Sequence, residues 1–283
     1  AESGPEASEM LRPDAVFVSP LTRAVQTAVI ALGPALTRHG SQGGQSDLVL
    51  MASAREKQNQ GGLDTRSTKT GVHILRSAQE RLRQLYSGKD GDCRDILETF
   101  GSLRYDVQEV EDQWWHTGRS ESKGQLRQRL EEFMAQLLYS PHRTIVVVGH
   151  SHFFRAAFGH FLSEDFRQEN SVFAGAISKQ KLMNCGVARV RLDPSRGLSG
   201  GPMVHADVVL ETELVEDRRR LWSSSRPSMS PLWSPRSRGA QSSLLSSLSS
   251  SPGAGSPGPE STPSSPRSPA AAAAPAVVVP PLL

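Results

Sequence analysis

The 283-residue sequence has only two cysteines, Cys93 and Cys185, with no Cys-x-x-Cys pair and no clustered histidines around them. This scarcity argues against a disulfide framework or a structural zinc site, and it makes a reducing compartment, the cytoplasm, the default location. No apolar run approaches the roughly eighteen residues of a membrane helix, so no membrane partner is expected. Ala1 to Met10 lack the basic start and apolar core of a secretory signal. A basic surplus is also missing from most of the chain. The formal net charge is +3, but residues 218–283 hold seven arginines and one acid, Glu260. That leaves 25 of the 32 basic and 28 of the 29 acidic residues, a net of −3, in residues 1–217. An acidic body offers no electrostatic footprint for nucleic acid.

What remains is a body that alternates short apolar runs with amphipathic stretches. Ala15-Val16-Phe17-Val18 reads as a buried strand. Ser19-Pro20 follows it, a helix-start signal in which serine caps and proline opens the first turn. The pattern predicts a helix from Pro20 toward Ala31 that stops near Gly33-Pro34. Leu48 to Met51 is a second apolar run. Val72 to Tyr86 places Ile74, Leu75, Ala78, Leu82 and Leu85 on one helical face, and Gln125 to Tyr139 repeats the pattern from Leu126 to Leu138. Thr144 to Val148 is β-branched throughout, as in a strand covered on both faces. It runs into Gly149-His150-Ser151 and a helical stretch from His152 to Leu162, in which Phe153, Phe154, Ala157 and Phe158 fall at core spacing. Val187 to Leu192 and Val208 to Val215 read as late strands. Strand and helix in alternation give an α/β fold with a mostly parallel sheet.

After Asp217 the composition changes to Ser, Pro, Arg and Ala, with six Ser-Pro steps such as Ser230-Pro231. Such a segment buries too little apolar area to offset its ordering entropy, so residues 1–217 are expected to form the domain and 218–283 a disordered tail. The Ser-Pro steps suit proline-directed kinases, and equally an unselected solvated extension.

Two strand-to-helix junctions carry groups able to do chemistry. Arg23 lies on the first helical turn after Ser19, and His150 ends the all-apolar strand. Ligands of open α/β sheets bind beyond the carboxyl ends of strands, where helix N-termini favour anions and an arginine adds a bidentate donor for phosphate. From spacing alone, an anion pocket and the plainer pairing of a solvated helix arginine with a satisfied core histidine both remain open.

Ser19-Pro20-Leu21-Thr22-Arg23-Ala24-Val25-Gln26-Thr27-Ala28 resembles the second-arginine motif of the histidine phosphatase superfamily, the phosphoglycerate-mutase-like proteins. Val148-Gly149-His150-Ser151-His152 resembles its second-histidine motif. Between them Ala54-Arg55-Glu56, followed by Gly61 to Thr65, is similar to the segment with the family's acid, and Asn184-Cys185-Gly186 to its late turn into a strand. The motifs stand in family order and cover roughly Asp14 to Asp193. The resemblance implies a three-layer α/β/α sandwich and phosphoryl transfer through a phosphohistidine, with no cofactor and no metal. Arg23 would be the second pocket arginine, His150 the second histidine, and Glu56 the acid that protonates the leaving oxygen of a small phosphorylated substrate. Phosphatase and mutase chemistry are not distinguished, and a non-catalytic phospho-ligand binder or interaction protein is the alternative.

The sequence departs from the family at its nucleophile. The family carries an Arg-His-Gly motif at the end of its first strand, and only eighteen residues precede Ser19, without such a strand. The expectation is therefore a sheet that lacks its central first strand, with the nucleophile and the first pocket arginine outside this chain. Arg38-His39-Gly40 lies in the wrong order after a helix end and reads as a chance tripeptide. Trp114-Trp115-His116 sits where this family builds lids, and equally where an insertion packs on the body.

Overall fold

A computed structural model describes residues 10, 12–39, 47–57, 67–117, 120–216 and 275–279. The chain divides into one unit of Ala1–Asp217 with Ala270–Leu283 and a second, Arg218–Pro269, which lies outside the described residues.

The apolar runs form a seven-stranded sheet. In chain order its strands are β1 (Ala15–Val18), β2 (Leu48–Leu50), β3 (Tyr105–Asp106), β4 (Ile145–Val148), β6 (Val187–Leu192), β7 (Met203–Val209) and β9 (Pro275–Val279). A separate antiparallel pair joins β5 (Lys181–Leu182) to β8 (Leu214–Val215). The spatial order in the large sheet is β3-β2-β1-β4-β9-β6-β7. Strands β3, β2, β1, β4 and β9 run parallel, and β6 pairs antiparallel with both β9 and β7. The α/β class and the mostly parallel sheet are thus observed.

Helices α1 (Thr22–His39), α2 (Val72–Leu85) and α3 (Asp90–Ser102) pack in one apolar cluster with Val146 and Val148 of β4. Helices α4 (Lys123–Leu138), α5 (Ser151–Phe161), α6 (Glu164–Glu169) and α7 (Ser171–Lys179) pack in the other, with Ile145 and Val147. Successive β4 side chains point to opposite faces, and all four are buried. That is why this strand shows no polar alternation. The chain runs outward from β1 through β2 to β3, then returns to place β4 on the other side of β1. The reversal moves the crossover helix α4 to the opposite face and makes the carboxyl ends of β1 and β4 the switch point, where open α/β sheets bind ligands.

Several elements differ from the sequence pattern for identifiable reasons. Helix α1 does not stop at Gly33-Pro34 but continues to His39 with Pro34 inside. A Cβ on Gly33 would lie 2.6 Å from Thr99 Cγ2, so this glycine admits the neighbouring α3 rather than ending α1. Leu85 of α2 is exposed, while Ile74, Ala78 and Leu82 are buried. The predicted strand Val208–Val215 is two strands, β7 and β8, because Leu210 and Glu211 turn the chain at φ 53° and 55°. Helices α3, α6 and α7 gave no clear signal in the sequence.

The largest difference concerns the tail and the gap. Within the stretch expected as a tail, Pro275–Val279 forms a strand inside the sheet. Its parallel register with β4 runs Ile145↔Ala276 to Val148↔Val279, and on its other side Ala188 of β6 stands opposite Val278. Ala-Val-Val-Val is β-prone, and proline is tolerated at the first position of a strand. The sheet is therefore continuous between β4 and β6, where a missing strand would leave two open edges. No helix among the described residues is long and apolar enough to cross a membrane.

Removing residues 270–283 opens the facing edges of β4 and β6, and unpaired apolar edges recruit other chains. The truncated protein is expected to melt at lower temperature and to self-associate. Scanning fluorimetry and size-exclusion chromatography against the full chain test this; unchanged melting and elution would mean that β9 does not close the sheet in solution.

Candidate active site

At the carboxyl ends of β1 and β4 the segments that leave these two paired strands come together. Ser19 follows β1, and its backbone N–H still donates to Val148 O at 2.8 Å. Arg23 is the second residue of α1, so its side chain leaves the helix start toward β4. His150 caps the start of α5 in an extended conformation, φ −128° and ψ 138°. Gly149 before it is required by close approach: a Cβ there would lie 2.6 Å from Phe154 Cζ.

Arg23 and His150, 127 residues apart in sequence, are in direct contact. Arg23 Nη2 lies 3.1 Å from His150 Nδ1, and His150 Nε2 lies 2.7 Å from Ser19 Oγ. A guanidinium can only donate, so Nδ1 is the acceptor and the ring proton sits on Nε2, donated to the serine hydroxyl. The imidazole is therefore neutral. Burial, then the charges of Arg23 and Arg129, hold His150 well below the usual histidine range.

Glu56 joins the same cluster. It lies just beyond a 3-10 turn, Ala52–Ala54, on the segment leaving β2, and it is 8% exposed. Its Oε1 accepts from the Lys57 N–H at 2.8 Å, and its carboxylate also accepts from the N–H of Phe153 in the first turn of α5. Burial pushes its pKa up; the two N–H donors and the charges of Arg23 and Arg129 pull in the opposite direction and do not cancel the rise. The three predicted site residues thus come from the ends of β1, β2 and β4, the three adjacent strands at the reversal.

Other sequence candidates lie elsewhere. His39 falls within helix α1, not at a strand end, which separates Arg38-His39-Gly40 from any nucleophile geometry. Gly61–Thr65 are outside the described residues. Asn184–Gly186 do form a turn into β6, with Cys185 at φ 58°. Trp114 is buried and donates Nε1–H to Lys69 O at 2.8 Å, so it packs in the core rather than covering the site. Arg155 donates to Lys179 O at 3.3 Å and ties α5 to α7. No group of three or more His, Cys, Asp or Glu among the described residues could hold a metal ion.

Sequence reasoning missed Arg129 and Glu121. Arg129 is 2% exposed, grips Glu121 through Nε and Nη2, and donates from Nη1 to the carbonyls of Ser53 and Arg55. The signal was present: Arg129 interrupts the apolar stripe of α4 between Leu126 and Phe133. A cation in such a stripe is paired when the helix is packed. Comparison with protein-family models, with curated proteins and with solved structures finds no match for this chain.

The two titrating groups act on stability in opposite senses. The folded pKa of Glu56 is raised, so its contribution is fully present below the unfolded value near 4.5 and is lost as pH rises through the folded value. His150 is depressed, so folding loses stability as pH falls below the unfolded value near 6.5. Glu56→Gln removes the cost of an ionised buried carboxylate and is expected to raise the melting temperature at pH 8 by roughly 2–4 °C, as about 1 kcal/mol gives in a chain of this size. The same variant should give no gain near pH 4. Melting curves across that range check both, and a gain independent of pH would exclude Glu56 titration as the cause.

Proposed function

We propose that this chain is a histidine-phosphatase-like phosphoryl-transfer domain, most simply a phosphomonoesterase acting on a small phosphorylated metabolite. The reading rests on one observation above all: the guanidinium of Arg23 meets the imidazole of His150 at 3.1 Å, at the carboxyl ends of adjacent parallel strands. The two apolar clusters on either face of β4 fit the three-layer sandwich of that family. An entering phosphoryl group would part the pair, with Arg23 turning its two donors to the equatorial oxygens and His150 presenting a ring N–H. Fixed donors of this kind favour the charge that spreads over phosphoryl oxygens.

Glu56 suits the role of general acid, because a buried carboxyl retains its proton to higher pH. In the proposed reaction a nucleophilic histidine nitrogen bonds to phosphorus. The ester P–O bond then breaks, and the Glu56 proton passes to the leaving oxygen. Water then attacks phosphorus and gives a proton to the Glu56 carboxylate as the N–P bond breaks, releasing phosphate and restoring both the histidine and the protonated acid. The nucleophile must come from outside the described residues. A strand seated in the register of β9 supplies a place for it. Val279 is level with Val148, so a strand continuing two residues further would carry its second residue level with His150.

That register also favours a second reading. The sequence after β9 is Pro280-Pro281-Leu282, not Arg-His-Gly. With β9 in its seat, the chain would bind a phospho-ligand and turn nothing over.

Orthovanadate, an oxyanion of phosphoryl shape, is expected to bind the full chain, and Arg23→Ala should weaken it about 100-fold, as loss of about 3 kcal/mol of charge-assisted hydrogen bonding would. Calorimetric titration of both proteins measures this. No binding to the unmodified chain, or equal binding to Arg23→Ala, would remove the anion pocket. Aryl phosphate hydrolysis separates the two readings. The full chain should be inert, while Pro280→Arg/Pro281→His should acquire slow turnover that His150→Asn abolishes. Binding without turnover in that variant would favour the non-catalytic reading.

A further inference from the structure

Helix α4 has two arginines: Arg127 is exposed, and Arg129 is buried at the edge of the site. Arg129 is more than half of an ion pair. Its Nε and Nη2 hold the two oxygens of Glu121 at 2.7 and 2.5 Å, a bidentate fork that fixes the plane of the guanidinium. The remaining nitrogen, Nη1, donates to Ser53 O at 2.9 Å and to Arg55 O at 2.8 Å, the carbonyls that bracket Ala54. Glu56 is the next residue. Arg129 Cζ also lies 5.0 Å from the ring centroid of Phe153, whose own N–H donates to the Glu56 carboxylate. The guanidinium therefore touches both supports of that carboxyl: the backbone leading into it and the residue whose amide holds it.

The fork is supported in turn. Arg55 Nη2 lies 3.4 Å from Glu121 Oε1, and Arg55, pushed down to about 10 by burial and by Arg129 beside it, stays charged at neutral pH. From the opposite side, Ser53 Oγ donates to Gln136 Oε1 at 2.5 Å, and Glu109 accepts from the N–H of Ala52 at 3.0 Å. The turn that carries Glu56 is thus gripped from α4 at several points.

We propose that Arg129, clamped by Glu121, is a positioning residue that fixes the Glu56 carboxyl beside the Arg23–His150 pair. Its relevance to ligand rests on the phosphoryl-pocket reading; its action on Glu56 does not. The charged and titrating groups that face Glu56 are Arg23 from α1 and Arg129 from α4, with the amides of Phe153 and Lys57 as fixed donors. Taking away Arg129 removes one of two cations and two of the restraints on the turn. Glu56 is then expected to keep its proton to higher pH and to lose its alignment.

The test must separate positioning from mere stability, because breaking a buried pair by removing one partner is strongly destabilising, whereas replacing both partners with apolar groups is often neutral. Arg129→Met/Glu121→Leu in the full chain is therefore the informative variant, with Arg129→Lys as its companion. The readouts are thermal melting, the Glu56 carboxyl titration by carbon NMR (assigned through Glu56→Gln) and orthovanadate affinity. Positioning predicts cooperative melting in the double variant, a Glu56 midpoint moved upward, and vanadate bound about tenfold more weakly. In Arg129→Lys, which keeps the charge and loses the fork, the affinity should also fall, while the midpoint moves less. A folded double variant with midpoint and affinity both unchanged would reduce Arg129 to packing. If the double variant does not fold, Arg129→Lys decides alone: unaltered affinity overturns the proposal, and a fall supports it. A moved midpoint in a protein that binds no vanadate at all would sink the phosphoryl pocket and leave the positioning role standing.

Discussion

The architecture of the site depends on the parallel pairing of β1 with β4, which sets Val18 opposite Val148 and brings Ser19 and His150 out of the sheet side by side. Everything chemical follows from that adjacency. A one-residue slip would turn each strand's alternate side chains to the wrong face, so burial on both faces holds the register. With it held, Ser19 can accept from His150 Nε2, and Arg23, one turn into α1, can donate to Nδ1. Two hydrogen bonds from two elements fix the ring, its tautomer and its neutrality together.

How much of this was legible in the sequence varied with the physics involved. The all-apolar β4, the amphipathic α4 and the serine-led start of α1 follow local rules, and the structure places them within a residue or two of the pattern. The grouping of Arg23, Glu56 and His150 was legible only through motif order, since no periodicity states which strands will be neighbours. The extension of α1 past Pro34 was not legible, because the reason for Gly33 is Thr99 on another helix, more than sixty residues away. Arg129 left a trace as a charge within an apolar stripe, but its partner could not be read from spacing, because Glu121 precedes the helix and meets Arg129 only after α4 folds back over the Ala52–Ala54 turn.

The seat of β9 is the clearest case of long-range control. As composition, Pro275–Val279 belongs to a low-complexity tail; as an edge-filling element, it is the most β-prone stretch near the chain's end. A sheet with β4 and β6 unpaired on facing edges creates a strong demand for any strand able to pair with both. Composition alone cannot register that demand, because it arises from the rest of the fold. The described strand ends at Val279, level with Val148 and two positions short of His150.

The electrostatics of the pocket complete the argument. A buried histidine held neutral and a buried carboxyl held toward its protonated form remove two groups that would otherwise bring charge of uncertain sign into the site. The charge that remains near them belongs to guanidinium groups, which cannot be titrated away at any relevant pH. Arg129 is largely offset by Glu121, whose pKa burial would raise but whose contacts with Arg129 bring it below the usual carboxylate range. Arg23 meets a neutral imidazole instead of a carboxylate partner at that contact. At that contact a charged guanidinium donates to a neutral ring, whereas Arg129 is held by a carboxylate. That asymmetry, one arginine clamped by an acid and one donating to a neutral base, is what the proposed roles rest on: Arg23 as the anion contact and Arg129 as part of the frame.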